Sequence, residues 1–331
     1  MADLAPPTLL DVVAARKRIA AYLLKTPLTY YHGLSSYLGC EVWVKHENHL
    51  PIGAFKVRGG INLLSHMSEG DRARGVITAS TGNHGQSIAY ASRLFGAKAT
   101  VCVQRGANPD KVAAMRALGA EIVEGQGDFD EAVILAVELA KERRLRYVHT
   151  ANEPDLIAGV GTLALEMVED RPDLDVVIVA AGAGTLSSGV SIVYKALSPK
   201  TRVVAVQTEA APSLSMSWRS GVVEHTNSAN TLADGLAVKQ SFELPVKIVH
   251  ELVDDFRLVS EEELRSAIKL YVEKAHTIAE GAGAAPLAAA IKMREELAGK
   301  KVGLVLSGGN LTAVMLREIL VGPTSAACGS R

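Results

Sequence analysis

Short runs of β-branched and apolar residues alternate with amphipathic stretches of helical length along most of this chain. That alternation constrains the fold more than any other feature. Residues 75–79 (GVITA) read as a strand, followed by a glycine-rich turn and a helix from about 84 to 95 that Gly96 stops. Residues 97–103 read as the next strand. A helix then opens at Pro109, with Asn108 as its N-cap, and ends at Gly119, while Val112, Met115 and Leu118 recur at helical spacing. Residues 121–124, 176–180, 202–206 and 301–306 are further strand candidates. Strands separated by helices of this length imply parallel crossover units, hence an α/β fold with helices on both faces of the sheet.

At 331 residues, 48% hydrophobic and 21% charged, the chain has ample material for a buried core in one large or two modest domains. A net charge of -1 gives no electrostatic footprint for nucleic acid, and the basic run at 141–146 (KERRLR) reads as a solvated helix end. Residues 176–194 are apolar enough to raise a membrane question, but their centre reads GAGT and SSG, which a bilayer helix would not place there, so no membrane span is expected. Cys40, Cys102 and Cys328 are odd in number, far apart and without metal or redox spacing. With no signal-peptide pattern at the N-terminus, a cytoplasmic location is expected.

In open parallel sheets, ligands bind at the carboxyl ends of strands. Three glycine-rich loops fall at such ends: 80–85 (STGNHG), 182–185 (GAGT) and 307–310 (SGGN). Each runs towards a helix, so backbone N–H groups and a positive helix end would face one crevice, as a phosphorylated ligand requires. Gly182 and Gly184 are not a dinucleotide fingerprint, because Ser187 stands where its third glycine belongs. A fourth segment, 51–60 (PIGAFKVRGG), sets Lys56 between Phe55 and Val57. A lysine held in apolar surroundings beside a second cation loses charge stabilisation and becomes nucleophilic, and Arg58 is the candidate for that cation.

The segments 48–51 and 55–59, with 80–84, 182–185 and 307–310, occur in an order and spacing that resembles the serine/threonine dehydratase and serine racemase family of pyridoxal phosphate enzymes. The resemblance spans about residues 8–320. It implies a tryptophan-synthase-β-like fold: two open, mostly parallel twisted sheets with flanking helices. Domains of 1–74 plus 153–322 (large, cofactor-binding) and 75–152 (small) are expected, followed by a disordered tail at 323–331. By the same resemblance, Lys56 holds the cofactor aldehyde as a Schiff base and takes the substrate's Cα proton. Asn83 bonds the phenolic oxygen and Ser307 faces the pyridine nitrogen. Gly182, Ala183, Gly184, Thr185 and Leu186 cradle the phosphate, which is the expected proton donor to the departing hydroxide. Ser80, Thr81, Asn83 and His84 bind the substrate. Asp234-Gly235 resembles a segment lining the cofactor, and Glu280 matches an acidic position near the ring. The implied reaction converts a 3-hydroxy amino acid such as L-threonine or L-serine to a 2-keto acid and ammonia, and a homodimer is the expected assembly.

Three departures from the family pattern matter. The phosphate loop is GAGT rather than four glycines. Ser215 stands where a cation-binding aspartate belongs, leaving Glu209 as the sole carboxylate there, so no metal site is expected. Thr81 keeps a hydroxyl where racemases carry serine and dehydratases alanine. A racemase of serine or hydroxyaspartate type, or a dehydratase of a bulkier substrate, is therefore the alternative.

Overall fold

Strand pairing sorts the β-branched runs into two separate sheets. The computed structural model describes residues 4–321, and among them ten strands form. They are β1 (Leu28–Tyr30), β2 (Glu41–His46), β3 (Val76–Ala79), β4 (Ala99–Val103), β5 (Glu121–Glu124), β6 (Arg146–Tyr147), β7 (Val176–Ala180), β8 (Arg202–Thr208), β9 (Asp255–Val259) and β10 (Lys301–Leu306). The six-stranded sheet has the order β1-β2-β10-β7-β8-β9, and the four-stranded sheet has the order β5-β4-β3-β6. Every pairing is parallel except the edge pair β1–β2. This is the α/β architecture that the alternating pattern predicts. The expected tail at 323–331, with Cys328, lies outside the described residues.

The central strands show why the pattern works. β7 (VVIVA) is buried along its whole length, as is β10 beyond Lys301, because helices cover both faces of the sheet. A parallel strand covered on both sides reads as a continuous apolar run. The stretch weighed as a membrane span resolves into β7, a loop, and the helix Thr185–Leu197. No helix among the described residues is long and apolar enough to cross a membrane.

The sequence reading misses four strands: β1, β2, β6 and β9. Most informative is β2 (EVWVKH), whose Lys45 and His46 are buried despite their polarity. Lys45 Nζ donates to the Glu166 carboxylate at 2.5 Å and to the Thr26 carbonyl at 2.8 Å. Buried polar groups persist where they are paired, and these partners are remote in sequence. Within the basic run 141–146, Arg143 pairs with Glu121 and Arg146 with Glu153, both at 2.9 Å.

Two helices set the cleft. Lys56–His66 packs against Asn83–Leu94, where Gly60 lies directly against Ser87, and the Ser87 hydroxyl donates to the Lys56 carbonyl at 2.6 Å. This contact fixes the start of the first helix against the helix that follows β3, and the first helix buries Val57, Ile61, Leu63 and Leu64 in the same core as Val76 and Val101 of the small sheet.

Candidate active site

Two of the four motifs meet through backbone pairing before any side chain is considered. The loop after β10 lies antiparallel to the Lys56 segment at Ala54 and Gly308. Phe55 N–H donates to the Ser307 carbonyl, and Gly309 N–H to the Gly53 carbonyl, each at 2.9 Å. The loop after β3 joins them by side chains. Asn310 Nδ2 donates to Asn83 Oδ1, and Asn83 Nδ2 donates to Glu280 Oε1, both at 2.7 Å. The Gly182 loop follows β7, the direct neighbour of β10, so it opens on the same carboxyl edge of the large sheet.

Lys56 is the first residue of its helix. Burial pushes its ammonium down to about 8, while the Glu280 carboxylate acts in the opposite sense. Its Nζ lies over the Phe55 ring, 4.9 Å from the centroid. The expectation that Arg58 supplies a neighbouring positive charge is corrected here. Two residues on in a helix is about 200° around the axis, so Arg58 points away from the cleft. Its guanidinium is buried against two carboxylates, with Glu47 at 2.7 and 2.9 Å and Glu166 at 2.7 and 2.9 Å. Burial alone would favour releasing its proton, but these two carboxylates win and hold its pKa above the ordinary value. Desolvation, not a second cation, softens Lys56.

The loop 80–85 is a helix N-terminus with open donors. Ser80 Oγ accepts from Gly82 N–H at 3.2 Å and from Gly85 N–H at 2.9 Å, so it braces the turn. Among the described residues, the N–H groups of Asn83 and His84 have no hydrogen-bond partner, nor does the Thr81 hydroxyl. The first-turn N–H groups of a helix, with its positive end, suit a carboxylate. His84, expected among the substrate-binding residues, turns its side chain away from these open donors. Its ring is buried beneath the loop, Nε2 is 2.9 Å from Thr78 Oγ1, and burial pushes its pKa down to about 3. Only its backbone N–H remains for a substrate.

The loop 182–186 is built of close approaches. A Cβ on Gly182 would collide with the Gly235 carbonyl oxygen, which puts the Asp234-Gly235 segment against this loop. Gly184 has φ +94°, a conformation costly for any residue with a Cβ, and it caps the helix Thr185–Leu197. Ala183 needs no such conformation, which is why the second glycine of the family pattern is dispensable. Among the described residues, the N–H groups of Gly182 through Ser187 have no partner, and the Thr185 hydroxyl has none either. A run of open donors at a helix N-terminus fits a phosphate. Ser307 is buried with no hydrogen bond from its hydroxyl to another described residue, so that group can serve a ring nitrogen.

These features together fit pyridoxal phosphate: an amine, a phosphate cradle, and single donors for the phenolic oxygen and ring nitrogen. Comparison with known proteins decides the family. A family model described as "Pyridoxal-phosphate dependent enzyme" matches residues 19–308. The chain belongs to that family. Pyridoxal phosphate is its cofactor. Over 313 residues it is 41% identical to an L-threonine ammonia-lyase of Thermotoga maritima, covering 95% of this chain and 78% of that protein. It is 37% identical to an L-threo-3-hydroxyaspartate ammonia-lyase of Saccharomyces cerevisiae, covering 92% and 94%. The solved structure of maize serine racemase superposes with a TM-score of 0.90 at 29% identity, covering 96% and 98%.

Two residues that sequence reasoning left with little or no role are hydrogen-bonded to Asn83. Asn310 lay inside a quoted motif without a role, and Glu280 had only a weak one. Glu280 is pushed up to about 7 by burial, against the pull of Lys111 and the Asn83 hydrogen bond. Lys111 pairs with Asp234 across the cleft. At the position of the cation site described for relatives, Glu209 faces the Lys292 ammonium at 3.5 Å, and Ser215 N–H donates to Gln207 Oε1 at 3.0 Å.

Proposed function

We propose that this enzyme is an ammonia-lyase that removes the β-hydroxyl and the amino group of an L-3-hydroxy amino acid, giving a 2-keto acid and ammonia. L-Threonine and L-serine are the substrates favoured by the ammonia-lyase relatives. In this reading the open N–H groups of Asn83 and His84, with the hydroxyls of Ser80 and Thr81, hold the substrate carboxylate. The N–H groups of residues 182–186 hold the cofactor phosphate, Asn83 Nδ2 donates to the phenolic oxygen, and Ser307 Oγ meets the ring nitrogen. Bound pyridoxal phosphate supplies an electron sink for negative charge at Cα. Lys56, whose ammonium is brought down to about 8 by burial, takes the proton from Cα. A serine hydroxyl cannot hold the ring nitrogen protonated as a carboxylate can. The sink is then weak, and prompt loss of a β-substituent is favoured over reprotonation.

The observation that carries this reading is the Lys56 amine, buried and softened at the junction of two loops with open donors. The unpartnered Thr81 hydroxyl favours one second reading, in which it returns a proton to the opposite face of Cα and racemises the substrate. A panel of L-serine, L-threonine, 3-hydroxyaspartate and phenylserine distinguishes the two. Keto acid and ammonia should appear in equal amounts with no accumulation of D-isomer. D-amino acid outrunning keto acid would establish the racemase, and no keto acid from any of the four would end the lyase reading. We also infer a homodimer in the cytoplasm, and a large unit of 1–74 plus 153–322 around a small one of 75–152.

A further inference from the structure

We propose that Asn310 and Glu280 are positioning residues for Asn83, locking its side-chain amide so that a nitrogen, not an oxygen, is left to meet the cofactor's phenolic oxygen. The inference rests on the assignment of Asn83 to that oxygen. An asparagine amide is nearly symmetric in shape, and turning it over exchanges a donor for an acceptor at little steric cost. In one orientation Asn83 would attract the phenolic oxygen, and in the other it would repel it. Nothing within Asn83 itself chooses between them.

The surrounding hydrogen bonds make the choice. The chain of donors starts at the Ile52 backbone carbonyl, which can only accept. Asn310 Nδ2 donates to that carbonyl at 2.9 Å, so the Asn310 atom there is a nitrogen. The same nitrogen donates to Asn83 at 2.7 Å, so the Asn83 atom it meets is the oxygen. The far end repeats the instruction, because Asn83 Nδ2 donates to Glu280 Oε1 at 2.7 Å. Glu280 is itself tied to the loop after β10, its backbone N–H donating to the Gly308 carbonyl at 3.0 Å. All the donors run one way, from Asn310 through Asn83 to Glu280. Asn83 Nδ2 carries two hydrogens, and Glu280 uses one. A single N–H is left over, fixed in identity by groups from three separate segments: 52, 280 and 310.

The proposal is tested by binding, without turnover. Cofactor-free protein is titrated with pyridoxal phosphate and with its 3-deoxy analogue, which lacks the phenolic oxygen, and the ligand's own absorbance change on binding is followed. Wild type should prefer pyridoxal phosphate by about tenfold, the value of one well-placed hydrogen bond. Asn83→Ala and Asn310→Asp should each bring that ratio close to one while leaving affinity for the analogue unchanged, and the double variant should be no worse than either. Unchanged affinity for the analogue also shows that the variants fold. Should Asn310→Asp fail to fold, Asn310→Ala combined with Glu280→Leu, which removes both instructions, should show the same loss of preference, and Asn310→Ala alone, with Glu280 still accepting, should keep it. A preference retained in Asn310→Asp, or in the variant carrying both Asn310→Ala and Glu280→Leu, but lost in Asn83→Ala would overturn the relay alone. A preference retained in Asn83→Ala would overturn the assignment of Asn83 as well. Equal weakening towards both ligands in Asn310→Asp would make Asn310 a prop for its loop, and the relay would again be wrong.

Discussion

Lys56→Met should stabilise the cofactor-free protein at neutral pH, because the property that makes Lys56 reactive also works against folding. Burial brings the Lys56 ammonium from the ordinary 10.5 down to about 8. In the unfolded chain the ammonium is solvated, so between pH 8 and 10.5 the unfolded state binds more protons and stability rises with pH. Below pH 8 both states are charged, and the folded state bears the full penalty. A difference of about 2.5 pKa units corresponds to about 3 kcal/mol, and to about 2 kcal/mol once the half-buried position of Lys56 in the cleft is allowed for. Methionine matches the stem of lysine without its charge. Urea denaturation at pH 7 should therefore show Lys56→Met more stable than wild type by about 2 kcal/mol with an unchanged m-value. The advantage should shrink through pH 8 to 10.5 and vanish above it. Groups out of reach of Lys56 are common to both proteins and cancel, while Glu280 and His84 feel its charge and add a smaller change of their own. An advantage that does not change with pH, or a less stable variant at pH 7, would refute the desolvation argument.

Thr81→Ala should keep elimination within about tenfold if its hydroxyl only shapes the carboxylate pocket, a change of about 1.4 kcal/mol in barrier. If that hydroxyl serves the second face, racemisation alone should disappear, which deuterium incorporation at Cα in D₂O would reveal. Chelator treatment should leave activity and melting temperature nearly unchanged, since Glu209 has a lysine for a neighbour and Ser215 offers no charge. A large loss restored by Mg²⁺ or Ca²⁺ would contradict this. Arg58→Leu should cost about 3–5 kcal/mol of stability, because Glu47 and Glu166 would then share only the Lys45 ammonium in a buried site. Denaturation within 1 kcal/mol of wild type would show that the cluster relaxes.

The parts of the site that sequence made legible are those where local backbone chemistry dictates the residue. Gly184 is required by its positive φ, and the strand-end loops announce themselves by glycine and small residues. Lys56 is legible only through its motif, because isolated lysines are common. What sequence could not show is direction. Arg58 lies two residues from Lys56 in the chain, yet on the far side of the helix it answers to Glu47 and Glu166, the latter 108 residues away. His84 sits in the binding loop, but its ring turns inward to Thr78. Strand β2 was missed for a related reason: its Lys45 looks solvent-facing until Glu166 arrives from another helix to pair with it. Asn310 and Glu280 acquire meaning only when the loops after β3 and β10 meet.

The central claim is that one amine, on Lys56, both anchors the cofactor and moves the Cα proton. Keto acid release from L-threonine by the pyridoxal phosphate-loaded protein tests it most directly, with wild type and Lys56→Ala assayed side by side. The account expects wild type to turn over and Lys56→Ala to lose at least about four orders of magnitude in rate, with the visible absorbance of the loaded protein gone. Near-normal release of keto acid by Lys56→Ala would contradict it.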